Sequence, residues 1–257
     1  ALAGCYVNCG QTCVASERIL VHERLYDAFE RRAAELVGKF RPGSSREGVV
    51  DVGAIITPLQ LDIIEKAVAG ALAQGARLVA GGKRALTEKG DYFEPTILAD
   101  VTADMDIARE EVFGPVMLLM RVRDDAQAVE IANGVSYGLS SSVFSKDRAR
   151  ARRIADALET GMSAINDFGG ITYMAQDLTF GGVKESGFGR MNGRDGLRSM
   201  CNVKAVIDDR FPISQPNKMY PVTASQYGVF SGVIDLVYGR GFRHKWRGLL
   251  RLLGRGQ

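Results

Sequence analysis

The residues best suited to chemistry lie at the start of the chain, where three cysteines follow one another at four-residue spacing. These are Cys5, Cys9 and Cys13, within the stretch GCYVNCGQTCVASER. Thiols at such a spacing can hold a metal, form a disulfide, fill a core or supply a nucleophile. Their neighbours decide between these uses.

A metal or disulfide role is disfavoured by the rest of the sequence. Zinc sites usually combine closely spaced ligand pairs with a second half, and the two histidines, His22 and His244, are not placed to complete such a set. Four cysteines in 257 residues do not form a disulfide framework and indicate a reducing compartment, which favours the cytoplasm. We therefore expect no metal.

Cys13 differs from the other two cysteines in its setting. We interpret Cys5 and Cys9 as small buried core residues, as free cysteines commonly are. Cys13 follows a short helix that ends at a turn containing Gly10, and it precedes an apolar strand. At such a junction backbone N–H groups can face a reacting atom and lower the pKa of the thiol. Cys13 is therefore the candidate nucleophile.

The elements that must position this thiol alternate between strands and helices. Short apolar runs predict strands at residues 18–22, 116–122, 161–167 and 201–207. Apolar residues at helical spacing predict helices over residues 23–40, 57–74, 124–133 and 146–158. This order indicates an α/β fold with a mostly parallel sheet, flanking helices, a C-terminal strand and an amphipathic tail.

The composition bounds the class of protein. The chain is 46% hydrophobic and 25% charged, as soluble globular proteins are. Its net charge of +3 does not indicate a nucleic-acid partner. It contains no run of about 18 apolar residues, the length that a membrane-spanning helix needs.

Five blocks in order resemble the aldehyde dehydrogenase superfamily. NCGQTCVASERILV resembles the family's active-site cysteine signature, and EEVFGPV, at residues 110–116, resembles its cofactor-contacting Glu-x-Phe-Gly-Pro element. YGLSSSVFSKD, GMSAIND and FGGVKESGFGR resemble the strand that follows, an Asn-bearing strand and a glycine-rich turn. The resemblance covers about residues 1–207. It implies an enzyme of the aldehyde dehydrogenase catalytic-domain fold.

The resemblance implies a reaction and a role for each matching residue. Cys13 would be the thiolate that attacks an aldehyde carbon, and its backbone N–H would be half of an oxyanion hole. The implied reaction is NAD(P)-dependent oxidation of an aldehyde to a carboxylic acid through a thiohemiacetal and a thioester. The residues on the side of the cofactor, NAD or NADP, would be Glu111, Phe113 and Gln60. Those lining the substrate tunnel would be Thr12, Val14 and Phe180.

The resemblance also divides the chain. Residues 1–195 would be the catalytic domain without its first strand, 196–210 an oligomerisation strand, and 211–257 a C-terminal extension. The family's cofactor domain, general-base glutamate and oxyanion-hole Asn would lie outside this chain. We therefore expect no dehydrogenase turnover from the chain by itself, and a homodimer or tetramer for a longer parent enzyme.

The C-terminal segment is basic, with six Lys or Arg residues and no acid between Arg240 and Arg255. Phe242, Trp246 and Leu249 recur at helical spacing opposite arginines. This pattern predicts a short basic amphipathic helix, which would place residues 227–257 on a membrane surface. Packing on the parent protein or on a sister subunit explains the pattern as well, and both interpretations stay open.

Two other classes of function stay open on the residues alone. A cysteine hydrolase or acyltransferase would use Cys13 with a histidine base, for which His22, at the end of the next strand, and His244, in the tail, are poorly placed. A non-catalytic membrane-surface or interaction module would explain the tail but not the cysteine turn.

Overall fold

A computed structural model describes residues 1–46, 48–85, 90–168, 175–208 and 223–254 of the chain. The chain forms two units, Ala1–Asn202 and Val203–Gln257. The predicted limits, after residues 195 and 210, do not coincide with this division. The second of them lies outside the described residues.

The first unit alternates helices and strands largely in the predicted order. Its helices are α1 (Leu2–Tyr6), α2 (Glu23–Val37), α3 (Pro58–Ala73), α4 (Asp106–Arg109), α5 (Asp125–Asn133), α6 (Arg148–Ala157) and α7 (Gly193–Ser199). Its strands are β1 (Arg18–His22), β2 (Arg77–Ala80), β3 (Thr96–Ala99), β4 (Val116–Val122), β5 (Tyr137–Gly138), β6 (Ser140–Val143), β7 (Met162–Ile165) and β8 (Val183–Lys184). The α/β prediction is confirmed, and β1 and β4 have the predicted bounds.

The main sheet has four strands in the order β1-β4-β3-β2. Strand β4 is parallel to both β1 and β3, and β2 is antiparallel at the edge. Two smaller sheets pair β6 with β7 in parallel and β5 with β8 antiparallel. The sheet structure is therefore mixed and mostly parallel.

Strand β4 carries the core on both of its faces. Leu118 packs with Ile64 of α3 on one side of the sheet. Leu119 packs with Tyr26 of α2 on the other side. Burial of each such side chain contributes about 1.5–3 kcal/mol, so the apolar run of β4 is what fixes this strand in the centre of the sheet.

The parallel pairing of β1 with β4 decides where the chemistry-bearing segments meet. Arg18 is paired with Leu118, and the Leu118 N–H donates to the carbonyl of Glu17 at 2.9 Å. Neighbouring parallel strands begin at the same edge of a sheet. The segments that lead into β1 and β4, the cysteine turn and residues 110–115, therefore lie side by side.

The predicted strand at residues 201–207 is not found, and this is a correction to the sequence prediction. Residues 196–199 belong to α7, and residues 202–208 have no regular secondary structure. Val203 and Ile207 are almost fully exposed, at 96% and 97%. A strand needs a neighbour to accept its backbone hydrogen bonds, and the described part of the chain supplies none to this segment.

The second unit contains two helices, α8 (Ala224–Tyr238) and α9 (Phe242–Leu252), joined by residues 239–241. They pack as an antiparallel hairpin in which Gly232 faces Gly248, so closely that a side chain on either residue would meet the other's carbonyl oxygen. Asp235 of α8 accepts hydrogen bonds from Arg247 and Arg251 of α9, each at 3.1 Å. No described helix combines the length and the apolar character needed to cross a membrane.

Candidate active site

The turn before Cys13 is built from three consecutive residues in the left-handed region. Asn8, Cys9 and Gly10 have φ angles of 50°, 60° and 70°. Asn tolerates this conformation and glycine adopts it freely, and the Asn8 side-chain amide donates to the Gln11 carbonyl at 2.8 Å. The Asn-x-Gly-Gln part of the signature therefore reverses the direction of the chain before Cys13.

Cys13 occupies the tip of the next turn. The Ala15 N–H donates to the Thr12 carbonyl at 2.9 Å, which makes Cys13 the second residue of a β-turn. Its side chain is exposed. No hydrogen bond joins its thiol or its N–H to any residue that the structure describes. Both groups are therefore available to a substrate.

Cys5 and Cys9 are buried, in keeping with their interpretation as packing residues. Cys5 is 1% exposed, and burial, together with the charge of Glu17, raises the pKa of its thiol well above the usual range. Its sulfur donates to the Val116 carbonyl at 3.4 Å. Burial also raises the pKa of Cys9, against the opposing effect of the Gly53 N–H. Neither thiol is suited to act as a nucleophile.

Gly10 and Gly114 bring the cysteine turn and the segment before β4 into direct contact. A side chain at Gly10 would overlap the Gly114 carbonyl, and a side chain at Gly114 would overlap Ile64 of α3. Both positions require glycine because backbone and core approach too closely for a Cβ atom. The contact explains why two glycine-containing motifs far apart in sequence belong to one site.

Gln11 connects the same turn to residues 54–56. Its amide nitrogen donates to the Ala54 carbonyl at 3.2 Å, and its amide oxygen accepts from the Ile56 N–H at 2.9 Å. A glutamine fits here because one side chain supplies both a donor and an acceptor. The turn is therefore held by the contact of Gly10 with Gly114 and by these two hydrogen bonds of Gln11.

Glu111 and Phe113 stand on the segment beside this turn, in the following called the cofactor-side loop (residues 110–114). Glu111 is exposed, its carboxylate has no hydrogen bond to any described residue, and partial burial raises its pKa. Phe113 is half-buried and has a φ of 51°, which is a strained conformation for an aromatic residue. An ionised carboxylate only accepts hydrogen bonds, so an unpartnered one on this loop suits a ligand that carries hydroxyl groups.

Gln60 is directed at this loop. Its amide nitrogen donates to the Val112 carbonyl at 2.9 Å and to the Phe113 carbonyl at 3.2 Å. Gln60 stands in the first turn of α3, where the Thr57 side chain accepts from its N–H at 3.1 Å. The residue predicted on the cofactor side is thus engaged with the backbone that carries Glu111 and Phe113.

Sequence reasoning missed Glu17, which lies on the opposite side of the same loop. Its two carboxylate oxygens accept from the Val112 N–H at 3.1 Å and the Phe113 N–H at 2.9 Å. Burial raises the pKa of Glu17 to about 7, against the opposing effect of these N–H groups. The available signal was an acid directly before an apolar core strand, where a charge needs partners.

Arg18 connects the start of β1 to α5. Its guanidinium donates to the carbonyls of Ile131 and Ala132, at 3.0 and 3.1 Å. Burial lowers its pKa. These carbonyls belong to the last turn of α5, where a cation is favourable because of the helix dipole. The Arg of the signature therefore has a structural role next to the site.

The residues predicted to line the substrate tunnel are half-buried. Thr12 and Val14 flank Cys13 in its turn. Phe180 lies elsewhere along the chain and forms an isolated antiparallel bridge with Met191, with both N–H···O distances at 2.7 Å. Across the described residues no group of three or more His, Cys, Asp or Glu side chains is arranged to hold a metal ion.

Comparison with known proteins gives a family for this chain. The profile of the aldehyde dehydrogenase family matches residues 1–206. An aldehyde dehydrogenase-like protein of Schizosaccharomyces pombe is 39% identical over 247 residues, which cover 93% of this chain and 47% of the relative. The NADP-dependent succinate-semialdehyde dehydrogenase of Deinococcus radiodurans is 41% identical over 215 residues, covering 84% and 44% of the two chains.

Solved structures give the same assignment. Betaine aldehyde dehydrogenase of Staphylococcus aureus, in complex with NAD+, superposes with a TM-score of 0.73 at 36% identity, over 77% of this chain and 40% of that one. The chain spans about half the length of the curated relatives named above, 47% and 44%. Matching motifs, fold and sequence together show that this chain belongs to the aldehyde dehydrogenase family.

Proposed function

We propose that this chain supplies the nucleophile and part of the cofactor site for NAD(P)-dependent oxidation of an aldehyde to a carboxylic acid. One observation carries the proposal: the exposed Cys13 turn contacts the loop of Glu111 and Phe113 through the Gly10–Gly114 approach. A thiol with no competing partner and a loop suited to a ribose therefore share one edge of the sheet.

Cys13 performs the covalent steps in this proposal. Its thiolate attacks the aldehyde carbon and forms a C–S bond, and the carbonyl electron pair moves to the oxygen. The Cys13 N–H, which no described group occupies, donates to that oxyanion. When bound, NAD or NADP would accept the hydride that turns the thiohemiacetal into a thioester. Water then displaces Cys13 and releases the acid. We assign no residue of this chain as the base for that water.

Three residues are proposed to bind the cofactor. The Glu111 carboxylate would accept hydrogen bonds from ribose hydroxyls, and the Phe113 side chain would pack beside the ribose and its ring. Gln60 would act on the cofactor side by holding the carbonyls of Val112 and Phe113. Thr12, Val14 and Phe180 are proposed to line the substrate tunnel. The substrate proposed is a small-molecule aldehyde.

The free thiol at the active site favours a reducing compartment, and we propose a cytoplasmic location. We also propose that the protein forms a homodimer or tetramer through residues 196–210. Leu197 and Met200 at the end of α7 are 73% and 85% exposed. Two exposed apolar side chains close together in this segment support a contact with a second subunit there.

A second proposal, that residues 227–257 contact a membrane surface, is favoured by the hairpin of α8 and α9. The charged residue of α8, Asp235, is paired with Arg247 and Arg251, so no unpaired charge interrupts the helix. Phe230, Ile234 and Tyr238 are exposed at 51%, 59% and 78%. Arg243 and Lys245 of α9 form no ion pair with a described acid and would supply the positive charge that complements an anionic bilayer.

Co-sedimentation with vesicles tests the membrane proposal. The protein is expected to sediment with vesicles of phosphatidylcholine plus phosphatidylserine, and a Trp246→Ala variant is expected to sediment less. Arg24→Ala, an exposed change on α2 of the first unit, is the control and should bind as the parent does. Equal recovery in the supernatant with and without phosphatidylserine would contradict the proposal, and a tail-dependent oligomer would support subunit packing instead.

The hydrolase alternative needs a histidine base near the thiol, and His22 has another role in the structure. His22 stands at the far end of β1, roughly 13 Å beyond Arg18 at about 3.3 Å per residue. Its Nδ1 accepts the Arg24 N–H at 3.2 Å at the start of α2. The tertiary structure therefore gives this histidine a capping role in the helix that follows.

The dehydrogenase proposal is tested with the protein expressed from its complete reading frame. A panel of aldehydes is assayed for NADH and NADPH formation with the parent protein, Cys13→Ser and the surface control Glu130→Gln. Activity should be lost in Cys13→Ser and kept in Glu130→Gln. Cofactor-independent ester hydrolysis that is lost in His22→Ala would overturn the proposal in favour of the hydrolase.

A further inference from the structure

The backbone of the cofactor-side loop is held from two sides by side chains from distant parts of the chain. The Glu17 carboxylate accepts hydrogen bonds from the N–H groups of Val112 and Phe113. The Gln60 amide nitrogen donates hydrogen bonds to the carbonyls of the same two residues. Both polar groups of two consecutive residues are therefore satisfied by side chains. In the following we call this arrangement the loop clamp.

The loop clamp acts on a strained piece of backbone. Phe113 has a φ of 51°, a region that is unfavourable for a residue other than glycine. Such a conformation persists when the surroundings enforce it. Glu17 and Gln60 provide that enforcement, and the Gly10–Gly114 contact limits the movement of the next residue.

Glu17 also connects the loop to the nucleophile. It stands between the Cys13 turn and β1, and its own carbonyl accepts the Leu118 N–H at 2.9 Å in the sheet. Its backbone is therefore fixed relative to β4, and its side chain extends this fixation to residues 112 and 113. A shift of Glu17 would move Glu111 and Phe113 relative to Cys13.

We propose that Glu17 is a positioning residue for the cofactor, one that holds Glu111 and Phe113 at a fixed place beside the Cys13 turn. The inference rests on the proposed function of this site as an aldehyde dehydrogenase centre. Glu17 itself contacts neither substrate nor cofactor in this proposal. It acts through the hydrogen bonds that it accepts from the backbone N–H groups of Val112 and Phe113.

The charges around Glu17 make its effect dependent on pH. Burial raises the pKa of Glu17 to about 7 and the N–H groups of Phe113 and Val112 oppose this rise, while the charge of Glu111 disfavours its ionisation and that of Arg18 favours it. Burial and, to a smaller extent, the Glu17 charge raise the pKa of the neighbouring Cys5 thiol. Protonation below about pH 7 converts one carboxylate oxygen from an acceptor to a donor, which loosens the clamp.

The test compares the parent protein, Glu17→Gln, Glu17→Asp and the surface control Glu130→Gln, each expressed from the complete reading frame. The dissociation constants of NADH and NADPH are measured by fluorescence titration at about pH 6 and about pH 8. Aldehyde KM and kcat and the rate of iodoacetamide alkylation of Cys13 are measured in parallel. Thermal unfolding of each variant verifies its folding.

Glu17→Gln is expected to raise the cofactor dissociation constant about tenfold at the higher pH, as loss of one charge-assisted hydrogen bond does. Alkylation of Cys13 should be unchanged. The parent's affinity should fall toward the lower pH, and that of Glu17→Gln should not. Glu17→Asp keeps the charge with a shorter reach, so it should show a smaller loss that still depends on pH.

Cofactor affinity within twofold of the parent in Glu17→Gln, at both pH values, would overturn the inference. If Glu17→Gln does not fold, Glu17→Asp takes its place in the test. A cofactor dissociation constant of Glu17→Asp within twofold of the parent's at both pH values would then overturn the inference. The proposed function fails separately: a fully active Cys13→Ser would reject the catalytic centre whatever Glu17 does. If Glu17→Gln keeps the parent's cofactor affinity while Cys13→Ser is inactive, only the positioning role of Glu17 is rejected.

Discussion

The carbonyl oxygen of Gly114 occupies the space that a side chain on Gly10 would need. Through this contact the turn that presents the thiol and the loop that carries Glu111 are parts of one packed unit. Glycine is required at residue 10 for two reasons, the close approach and a φ of 70°. The two reasons can be separated by experiment.

Gly10→Ala is expected to destabilise the protein by more than the left-handed conformation alone costs, which is about 1–2 kcal/mol. The excess comes from displacement of Gly114 and the loop. Gly75→Ala is the matched control, because Gly75 has a φ of 104° and open space around it. Urea unfolding of both variants measures the difference. Equal losses would show that the Gly114 contact has no energetic importance.

Native alkylation should distinguish the four cysteines. Cys13 and Cys201 are exposed, whereas Cys5 and Cys9 are buried. Brief iodoacetamide treatment followed by peptide mass spectrometry is expected to label the exposed pair, and the buried pair only after unfolding, since the buried thiols also have raised pKa values. A Cys201→Ala variant reduces native labelling to Cys13. Rapid labelling of Cys9 in the folded protein would contradict the structure.

Glu17 is expected to make the folded state less stable as pH rises from about 4.5 to about 7. Its pKa is raised from 4.5 in the unfolded chain to about 7 in the folded protein, so the folded state binds the extra proton in this window. Its contribution to the free energy of unfolding is therefore fully present below pH 4.5 and is lost as the pH rises through about 7. Neighbouring Glu111, whose pKa is also raised, acts with the same sign.

Urea unfolding of the parent, Glu17→Gln and Glu130→Gln across this range measures the effect. Glu17→Gln should flatten the fall in the free energy of unfolding, and Glu130→Gln should keep the parent's slope. The effect on stability is opposite in sign to that on cofactor affinity, which makes the two separable. An unchanged slope in Glu17→Gln would show that Glu17 does not titrate in this window.

Arg18→Lys is expected to lower the free energy of unfolding by about 1–2 kcal/mol. The lysine ammonium cannot contact the carbonyls of Ile131 and Ala132 in the planar manner of the guanidinium. Arg24→Lys, an exposed substitution on α2, is the control and should have little effect. Hydrogen exchange should be faster in the last turn of α5 for the first variant alone. Uniform exchange in both would argue against the capping role.

Gly248→Ala is expected to loosen the α8–α9 hairpin, because the added Cβ would lie 2.7 Å from the Gly232 carbonyl. Gly228→Ala, on the same hairpin with open space around it, should instead stabilise α8 by up to about 1 kcal/mol. Amide hydrogen exchange over residues 224–252 measures both. Similar protection in the two variants would contradict the close glycine contact.

Several elements followed directly from local pattern. The apolar runs of β1 and β4 and the helical spacing in α3 and α6 are properties of short stretches, and they were predicted with small errors at the ends. The strand predicted at residues 201–207 failed for a different reason. Alternating apolar residues indicate that a segment can form a strand. A strand also needs a neighbouring strand to share its backbone hydrogen bonds, and the described chain provides none for this segment.

The sequence by itself determined the family, and it predicted the nucleophile Cys13 and the cofactor-side residues Glu111 and Phe113, because these depend on residue type and short spacing. Tertiary structure alone decided that Glu17 and Gln60 hold the same two residues from opposite sides. Their hydrogen bonds span 52 to 96 positions. Those of Glu17 exist because β1 and β4 are parallel neighbours, and those of Gln60 exist because α3 packs on the same sheet. No local pattern contains that pairing, since it arises from the order of strands in the sheet.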